Sequence, residues 1–385
     1  MAQRPPISRR QALRPGCERL ESLGLLSTMA MPAVPVNLLA ADAQGASTGV
    51  TVALPSTPTE SISTLPGNAD DHPVGVAIVP GRFTGNGVTR PGDILVTNAN
   101  NKGVPGLGST IEEVVPATRT TPTVANLFFQ GQGSEGVGLT GAVGYLKGGF
   151  EIVGNLPRGD TSPRNLGQSL LLLLDRNGNV SKDIEAPGGP WGLTVHDEGK
   201  TAQVFVSNVL DGSVTRVDLS LGAFKVRILR SVTIAAGYAH EANPAASWIG
   251  PAGLAYDAAK DTLYVASTAD NTVYAVAHAG AVRHSHGTGT ALIQDPAHLH
   301  GPVGLATGPQ DTLVVANNDQ VNPDPAQPST IVLYTRGGQY LGEQSLNATP
   351  GALSGISLEP AGGRTFTLAA ADAATDTVDL YKGQY

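Results

Sequence analysis

The chain has 385 residues, of which 41% are hydrophobic and only 5% aromatic, and it contains 48 glycines and 28 prolines. Enough apolar residues for a packed core exclude wholesale disorder, and many turn residues with few long amphipathic runs favour short β-strands. The formal net charge is −8 and no dense stripe of Lys and Arg is present. This disfavours nucleic-acid binding, because neutralising phosphates needs clustered cations.

Residues 1–43 differ from the rest of the chain. Arginines, including the pair Arg9-Arg10, precede an uncharged stretch (22–41) that leads into Ala41-Asp42-Ala43, an A-x-A-like cleavage pattern. The segment "SRRQAL" resembles the twin-arginine export motif of bacteria. The apolar stretch is too polar and too interrupted by proline to predict a membrane span.

We therefore expect residues 1–43 to be an export signal and linker, and residues 44–385 to form one periplasmic or extracellular domain. The alternatives are the general secretory route, a disordered tail or a misassigned start codon. Cys17 is the only cysteine and lies inside the expected signal, so the mature chain would have no disulfide.

Residues 44–385 carry a repeat that begins after the strand-like segment "ESISTL" (60–65). The phrase P-x-G followed by apolar residues starts at Pro73, Pro190, Pro251 and Pro302, and weaker copies end at Gly144 and Gly355. Each copy is followed by a second strand such as "QVFVSN" (203–208) and by a third that starts with Ser or Thr. Five steps from Gly75 to Gly355 average 56 residues, against about 40–50 in familiar propeller repeats.

Six copies with three clear strands and a vaguer fourth predict an all-β fold, a six-bladed β-propeller of four-stranded antiparallel blades. The last copy ends in "TVDLY" (377–381) with no fourth strand to follow, so "ESISTL" is expected to supply that strand and to close the ring. The alternative, a β-sandwich, gives no reason for six similar units.

The phrases "GPAGLA" (250–255) and "DTLYVA" (261–266) resemble those of NHL-repeat propellers and their relatives, over roughly residues 60–385. The resemblance implies the fold, whereas function differs among members, which include interaction scaffolds, lyases and calcium-dependent lactonases. The lactonases typically carry a metal-ligating Glu before the first Gly-Pro. The residues before P-x-G here are His72, Gly189, Gly250 and Gly301. None of them is a Glu, which disfavours a lactonase.

In each predicted blade, the start of the first strand and the end of the second lie at the same end. We call this end of the propeller the mouth. It is expected to gather the ligand-binding residues His72, Asn98, Asn155, Asn208, Asp270, His300 and Asn317. The alternative for each asparagine is structural, since Asn at a strand end commonly bonds backbone in a turn. The insertions 99–107, 156–167 and 318–328 are predicted to be loops of the same mouth, grown either for function or without consequence.

Four histidines fall within residues 284–300. His284 and His286 precede the fourth strand and His298 and His300 follow it, so about 17–20 Å separates the pairs. One ion cannot bridge that distance, because zinc–nitrogen bonds are about 2.0–2.1 Å long. The remaining mouth histidines are His72, His298, His300 and His240. They are either exposed loop residues or a site like that of amidating propeller lyases, in which histidines hold zinc.

Two functions remain open. The first is a secreted, non-enzymatic propeller that binds a small molecule, a glycan or a protein at the mouth. The second is a metal-assisted lyase or hydrolase in which His72 and His300 act as ligands or as acid and base. The sequence contains no G-x-S-x-G, P-loop or H-E-x-x-H motif, which favours the first function. It specifies no cofactor and leaves metal binding open.

Overall fold

A computed structural model describes residues 37–39, 51–83, 87–118, 120–131, 137–139, 141–156, 168–222, 225–242 and 248–385. These residues form strands and turns, and none of the described elements is a helix. Consistently, the described part contains no helix long and apolar enough to cross a membrane. The predicted all-β class is therefore confirmed.

Six antiparallel sheets follow one another along the chain, as predicted for a six-bladed propeller. Blade 1 contains β4 (Asp70–Ile78), β5 (Ile94–Asn101), β6 (Val104–Pro105), β7 (Thr110–Val115) and β8 (Val124–Gln130). Blade 2 contains β9 (Val143–Leu146), β10 (Phe150–Asn155), β11 (Leu170–Leu174) and β12 (Val180–Glu185). Blade 3 contains β13 (Pro190–Asp197), β14 (Thr201–Asn208), β15 (Ser213–Leu221) and β16 (Val226–Ala236).

The last three blades follow after the short hairpin of β17 (Glu241–Ala242) and β18 (Trp248–Ile249). Blade 4 contains β19 (Pro251–Asp257), β20 (Thr262–Ser267), β21 (Thr272–Ala277) and β22 (Thr290–Ile293). Blade 5 contains β23 (Pro302–Thr307), β24 (Thr312–Asn317), β25 (Thr330–Thr335) and β26 (Tyr340–Ser345). Blade 6 contains β27 (Leu353–Gly362), β28 (Thr365–Asp372) and β29 (Thr377–Gln384).

The fourth strand of blade 6 comes from the N-terminal side of the chain. The strand β3 (Glu60–Ser63) pairs antiparallel with β29, with Ser63 opposite Thr377 and Glu60 opposite Leu380. This confirms the predicted closure by "ESISTL". A further hairpin of β1 (Asn37–Leu39) and β2 (Thr51–Ala53) joins the same sheet, where Ala53 pairs with Gln384. β1 falls within the expected export segment, whose other residues lie outside the described part, so the boundary at residue 43 stays a prediction.

The glycine of each P-x-G phrase explains why the phrase recurs. A Cβ atom at Gly192 would lie 2.4 Å from the carbonyl oxygen of Ala252 in the next blade, and one at Gly253 would lie 2.7 Å from that of Val303. Only glycine allows the first strands of adjacent blades to approach this closely. In blade 2 this position is Ala142, because Val143 pairs with Val153 as Leu193 pairs with Val206, so the predicted weak copy ending at Gly144 is displaced by two residues.

The hydrophobic core consists of six clusters, one at each interface between neighbouring blades. At the interface of blades 6 and 1, for example, Val96 and Val114 pack with Ala371 and Val378. Each blade thus buries both faces against its neighbours, and the hydrophobic runs of the inner strands follow from this arrangement.

Candidate functional site

The strand register confirms that the starts of first strands and the ends of second strands share one end of each blade. Pro73 pairs with Asn98, Pro190 with Asn208, and Pro302 with Asn317. In blade 2, the Gly154 amide donates to the Ala142 carbonyl (2.8 Å), which places Asn155 at the same end. The structure therefore places these strand ends together at one end of the propeller, as the sequence predicts for the mouth.

The strand-end asparagines tie together the segments that meet at the mouth. The Nδ2 group of Asn98 donates to the Thr64 carbonyl (2.8 Å) and to the Thr110 hydroxyl (3.3 Å). Asn317 makes the equivalent bonds to the His298 carbonyl and the Thr330 hydroxyl, both at 2.8 Å.

In blade 3, Asn208 donates to the hydroxyls of Ser213 (2.9 Å) and Thr215 (3.0 Å). All of these asparagines, with Asn155, are buried. The contacts fit the structural alternative, and the ligand-binding role of the asparagines stays a prediction.

Hydrogen-bond acceptors without a donor collect just below the mouth surface. Asn98 and Asn317 direct only their Nδ2 groups to protein partners, and their Oδ1 atoms are buried with none among the described residues. Oxygens of four further residues at this end are in the same situation: Asp71, Asn100, Ser267 and Asp319. A buried polar atom without a partner costs about 1–3 kcal/mol, so such atoms are normally satisfied by water or by a bound group.

The mouth histidines differ in exposure and in partners. His72 lies in the left-handed backbone region (φ 63°), and its amide donates to Asp376 Oδ1 (2.8 Å). Burial lowers the pKa of His72 and outweighs the opposing effect of the Asp376 and Asp71 carboxylates, so the neutral imidazole is favoured. His300 is buried, and its Nδ1 bonds to the backbone carbonyl of Asn322. Both rings are therefore neighbours of the mouth surface rather than freely exposed loop groups.

The other two mouth histidines also have local partners. The ring of His298 stacks on Tyr340, with centroids 3.8 Å apart, and its Nδ1 lies 2.8 Å from Asp295 Oδ2. His240 Nδ1 lies 3.0 Å from the Tyr238 carbonyl oxygen. In both rings these contacts involve Nδ1 and leave Nε2 without a hydrogen-bond partner among the described residues.

The described part of the mouth surface is acidic. Asp270 is exposed and accepts a hydrogen bond from the Tyr274 hydroxyl (2.6 Å), and the pKa of Tyr274 is raised to about 12 by its own burial and by this carboxylate. Aspartates also occupy the turns between the second and third strands of blades 3, 5 and 6, at Asp211, Asp319 and Asp376. Among the described residues, Lys102 is the one lysine or arginine in turns of this kind and in the segments that lead into the first strands. The mouth therefore favours ligands that donate hydrogen bonds or carry positive charge.

Two of the three predicted mouth loops fall in the described part. In the first, β5 extends to Asn101 and pairs with β6, which makes residues 99–107 more regular than the sequence predicts. In the third, Asp319 Oδ2 accepts from the Ser329 amide (2.7 Å), which holds the loop 318–328 across its base. Residues 157–167 of the second loop lie outside the described residues.

The central tunnel narrows toward the mouth. There it is lined by Val74, Trp191, Val303 and Ser354 and holds a volume of about 60 Å³, room for a few water molecules. Toward the opposite face, where the first strands end, it widens to about 280 Å³. A ligand at the mouth would therefore rest on its rim rather than enter the tunnel.

The paired histidines of blade 4 lie in the connection between β21 and β22. The rings of His284 and His286 contact each other, with centroids 4.4 Å apart, and both side chains are exposed. The connection begins at the face opposite the mouth. It then runs across to the last residue of β16, Ala236, whose amide donates to the Gly287 carbonyl (3.1 Å). Within the described residues, no three His, Cys, Asp or Glu side chains are grouped so that they could hold a metal ion.

A group of buried acids between blades 1 and 2 was not anticipated from the sequence. Glu113, Glu151 and Tyr145 are all buried, and each has an oxygen without a described partner. Burial is the main cause that raises the pKa of Glu113 to about 7 and that of Glu151 to about 9. The sequence signal was a carboxylate inside an inner strand, as in "FEIVGN" (150–155), where apolar residues are expected.

No protein-family profile and no curated protein matches the chain. Solved structures that resemble it include a gluconolactonase from Xanthomonas campestris, with 12% identity and a TM-score of 0.48 over 85% of this chain and 96% of that chain. Another is the calcium-binding protein regucalcin from Agrobacterium tumefaciens, with 11% identity and a TM-score of 0.47 over 85% and 94%. A luciferin-regenerating enzyme matches with 11% identity and a TM-score of 0.48 over 85% and 95%. At such identities the likeness concerns the fold alone.

Proposed function

We propose that this protein is an exported β-propeller that binds a small ligand or glycan rich in hydrogen-bond donors at its mouth, without catalysing a reaction. The observation that carries the proposal is the set of buried acceptor oxygens below the mouth surface, which includes Asn98 Oδ1, Asn317 Oδ1 and Asp319 Oδ1. Ligand hydroxyl or ammonium groups would supply the donors that these oxygens lack. The surrounding aspartates favour the same chemistry.

The alternative, a metal-assisted lyase or hydrolase, gains no support from the histidines it requires. Neither His72 nor His300 belongs to a group of three metal-ligating side chains among the described residues. Elemental analysis of natively purified protein separates the two functions. Stoichiometric zinc, calcium or iron would favour the enzyme.

The binding proposal is tested by a thermal-shift screen of the full chain against neutral sugars, oligosaccharides and amines. We expect members of this panel to raise the unfolding temperature, because a ligand that binds only the folded state stabilises it. The double variant His72→Asn and Asp270→Asn changes two side chains of the mouth. Asn tolerates the left-handed backbone at position 72, and at position 270 it keeps an oxygen that can accept from the Tyr274 hydroxyl. The double variant should bind the same compounds more weakly.

The matched control is Asp183→Asn, an exposed change on the outer strand of blade 2 that should leave binding unchanged. If no compound stabilises the protein, or if the double variant binds like the wild type, the mouth is not the ligand site.

A further inference from the structure

A large cavity lies away from the mouth, between blades 3 and 4. Its volume is about 750 Å³, within the range of small-molecule sites. It opens at the opposite face, since it is lined by the turns that join first to second strands, at Glu198 and Asp261, and by the connection after β21 at Arg283. It is thus separate from the mouth.

Three of the carboxylates that line this cleft already have partners. Asp218 pairs with the buried Arg216 (2.8 Å), whose Nη1 also donates to the Ala279 carbonyl. Asp261 accepts from the Tyr256 hydroxyl (2.8 Å) and from the Gly280 amide (2.7 Å).

The third carboxylate, Glu198, accepts from the Thr201 hydroxyl (3.3 Å) and lies 3.5 Å from His196 Nε2. These bonds hold the acids of the cleft in place, and Arg216 offsets the charge of Asp218.

Two guanidinium groups in the same cleft have no such partner. Arg230, on β16, and Arg283 line the cavity and are exposed, and neither guanidinium group forms an ion pair or hydrogen bond with the described residues. The cleft also has an aromatic wall, since the tilted rings of His196 and Tyr256 lie 5.2 Å apart and Phe205 packs against Tyr256 (4.7 Å). Leu229 adds an apolar edge and is 61% exposed.

We propose that this cleft binds a small organic anion, with its carboxylate or phosphate group on Arg230 and Arg283 and its ring or apolar body over His196 and Tyr256. Guanidinium groups bind both oxyanions through paired, charge-assisted hydrogen bonds. The cleft carries two guanidinium groups without a partner among the described residues, whereas the described mouth turns carry an excess of acids, so the two surfaces are expected to take different ligands.

The test is isothermal titration calorimetry of the full chain with D-glucuronate, glucose 6-phosphate and D-glucose, which share a sugar ring and differ in charge. We expect saturable binding of at least one anion and none of glucose at the cleft. The double variant Arg230→Gln and Arg283→Gln should bind the anion about tenfold more weakly or worse, since each lost contact involves a charged group. The relative affinity of the two anions shows whether carboxylate or phosphate is preferred.

Arg227→Gln is the matched control, because Arg227 is exposed on the same strand but does not line the cleft. It should leave the affinity unchanged, as should the mouth variant His72→Asn with Asp270→Asn. Circular dichroism confirms folding of each variant. Absence of binding by both anions, or wild-type affinity in the arginine double variant, would overturn the proposal without bearing on the mouth.

Discussion

Gly355 in the last blade lies against Val74 in the first, so that a Cβ atom on Gly355 would be 2.3 Å from the Val74 carbonyl oxygen. This contact closes the inner side of the ring, as the pairing of β3 with β29 closes its outer side. The first and last segments of the propeller thus meet within blade 6 and at its interface with blade 1.

Gly355→Ala is therefore expected to destabilise the propeller by about 1–3 kcal/mol. The added methyl group would collide with the backbone of Val74 and push the first strands of blades 6 and 1 apart. The control is Gly81→Ala, since a Cβ there has no atom within 4 Å. Urea unfolding measures both variants. Equal stabilities would show that the first strands can separate without cost.

Ile62→Pro should weaken the closure. The Thr64 amide donates to the Asp376 carbonyl (3.0 Å), and alternation along an antiparallel strand directs the Ile62 amide toward Val378 in the same way. Removing that donor leaves a buried carbonyl without a partner, at about 1–3 kcal/mol. Ser63→Pro is the control, because its amide points away from β29. Thermal unfolding that is unchanged in Ile62→Pro would contradict a structural role for β3.

Stability should fall as the pH rises, because three buried glutamates are protonated more readily in the folded chain. Their pKa values, about 7 for Glu112 and Glu113 and about 9 for Glu151, exceed the ordinary value of 4.5. The folded state therefore binds more protons than the unfolded state over this range. The stability that this protonation contributes is complete below about pH 4.5 and is lost through pH 7 and pH 9.

Glu151→Gln, which cannot ionise, should flatten this dependence and exceed the wild type in stability at high pH. Glu185→Gln, an exposed change on β12, should leave it as it is. Urea midpoints across the pH range give the slopes. A wild-type slope in Glu151→Gln would mean that the buried acid is paired in a way that the described contacts do not include.

Export is testable in bacterial cells. We expect Arg9→Lys with Arg10→Lys to retain the precursor inside the cell, because the twin-arginine route depends on the pair. Arg4→Lys with Arg14→Lys preserves the same number of positive charges and should leave export intact. Fractionation followed by immunoblotting measures both. Normal export of the first variant would point to the general secretory route.

The amino-acid sequence by itself determined the blades, their number and the closure. P-x-G, a second strand and a Ser or Thr before the third are local features, and strand direction alone places Asn98 and Pro73 at one end. The same reasoning set the blade 2 copy two residues off, because only the pairing of Val143 with Val153 shows that Ala142 takes the glycine position there.

Only the tertiary structure decided which polar groups are buried and which remain free. From the sequence, Asn317 could either bind a ligand at the surface or stabilise a turn. In the structure its Nδ2 group donates to the His298 carbonyl and to the Thr330 hydroxyl. The raised pKa of Glu151 and the cleft beside Arg283 both arise where two blades meet. Such interfaces bring together residues far apart in the chain, and burial and pairing are properties of the neighbours that arrive there.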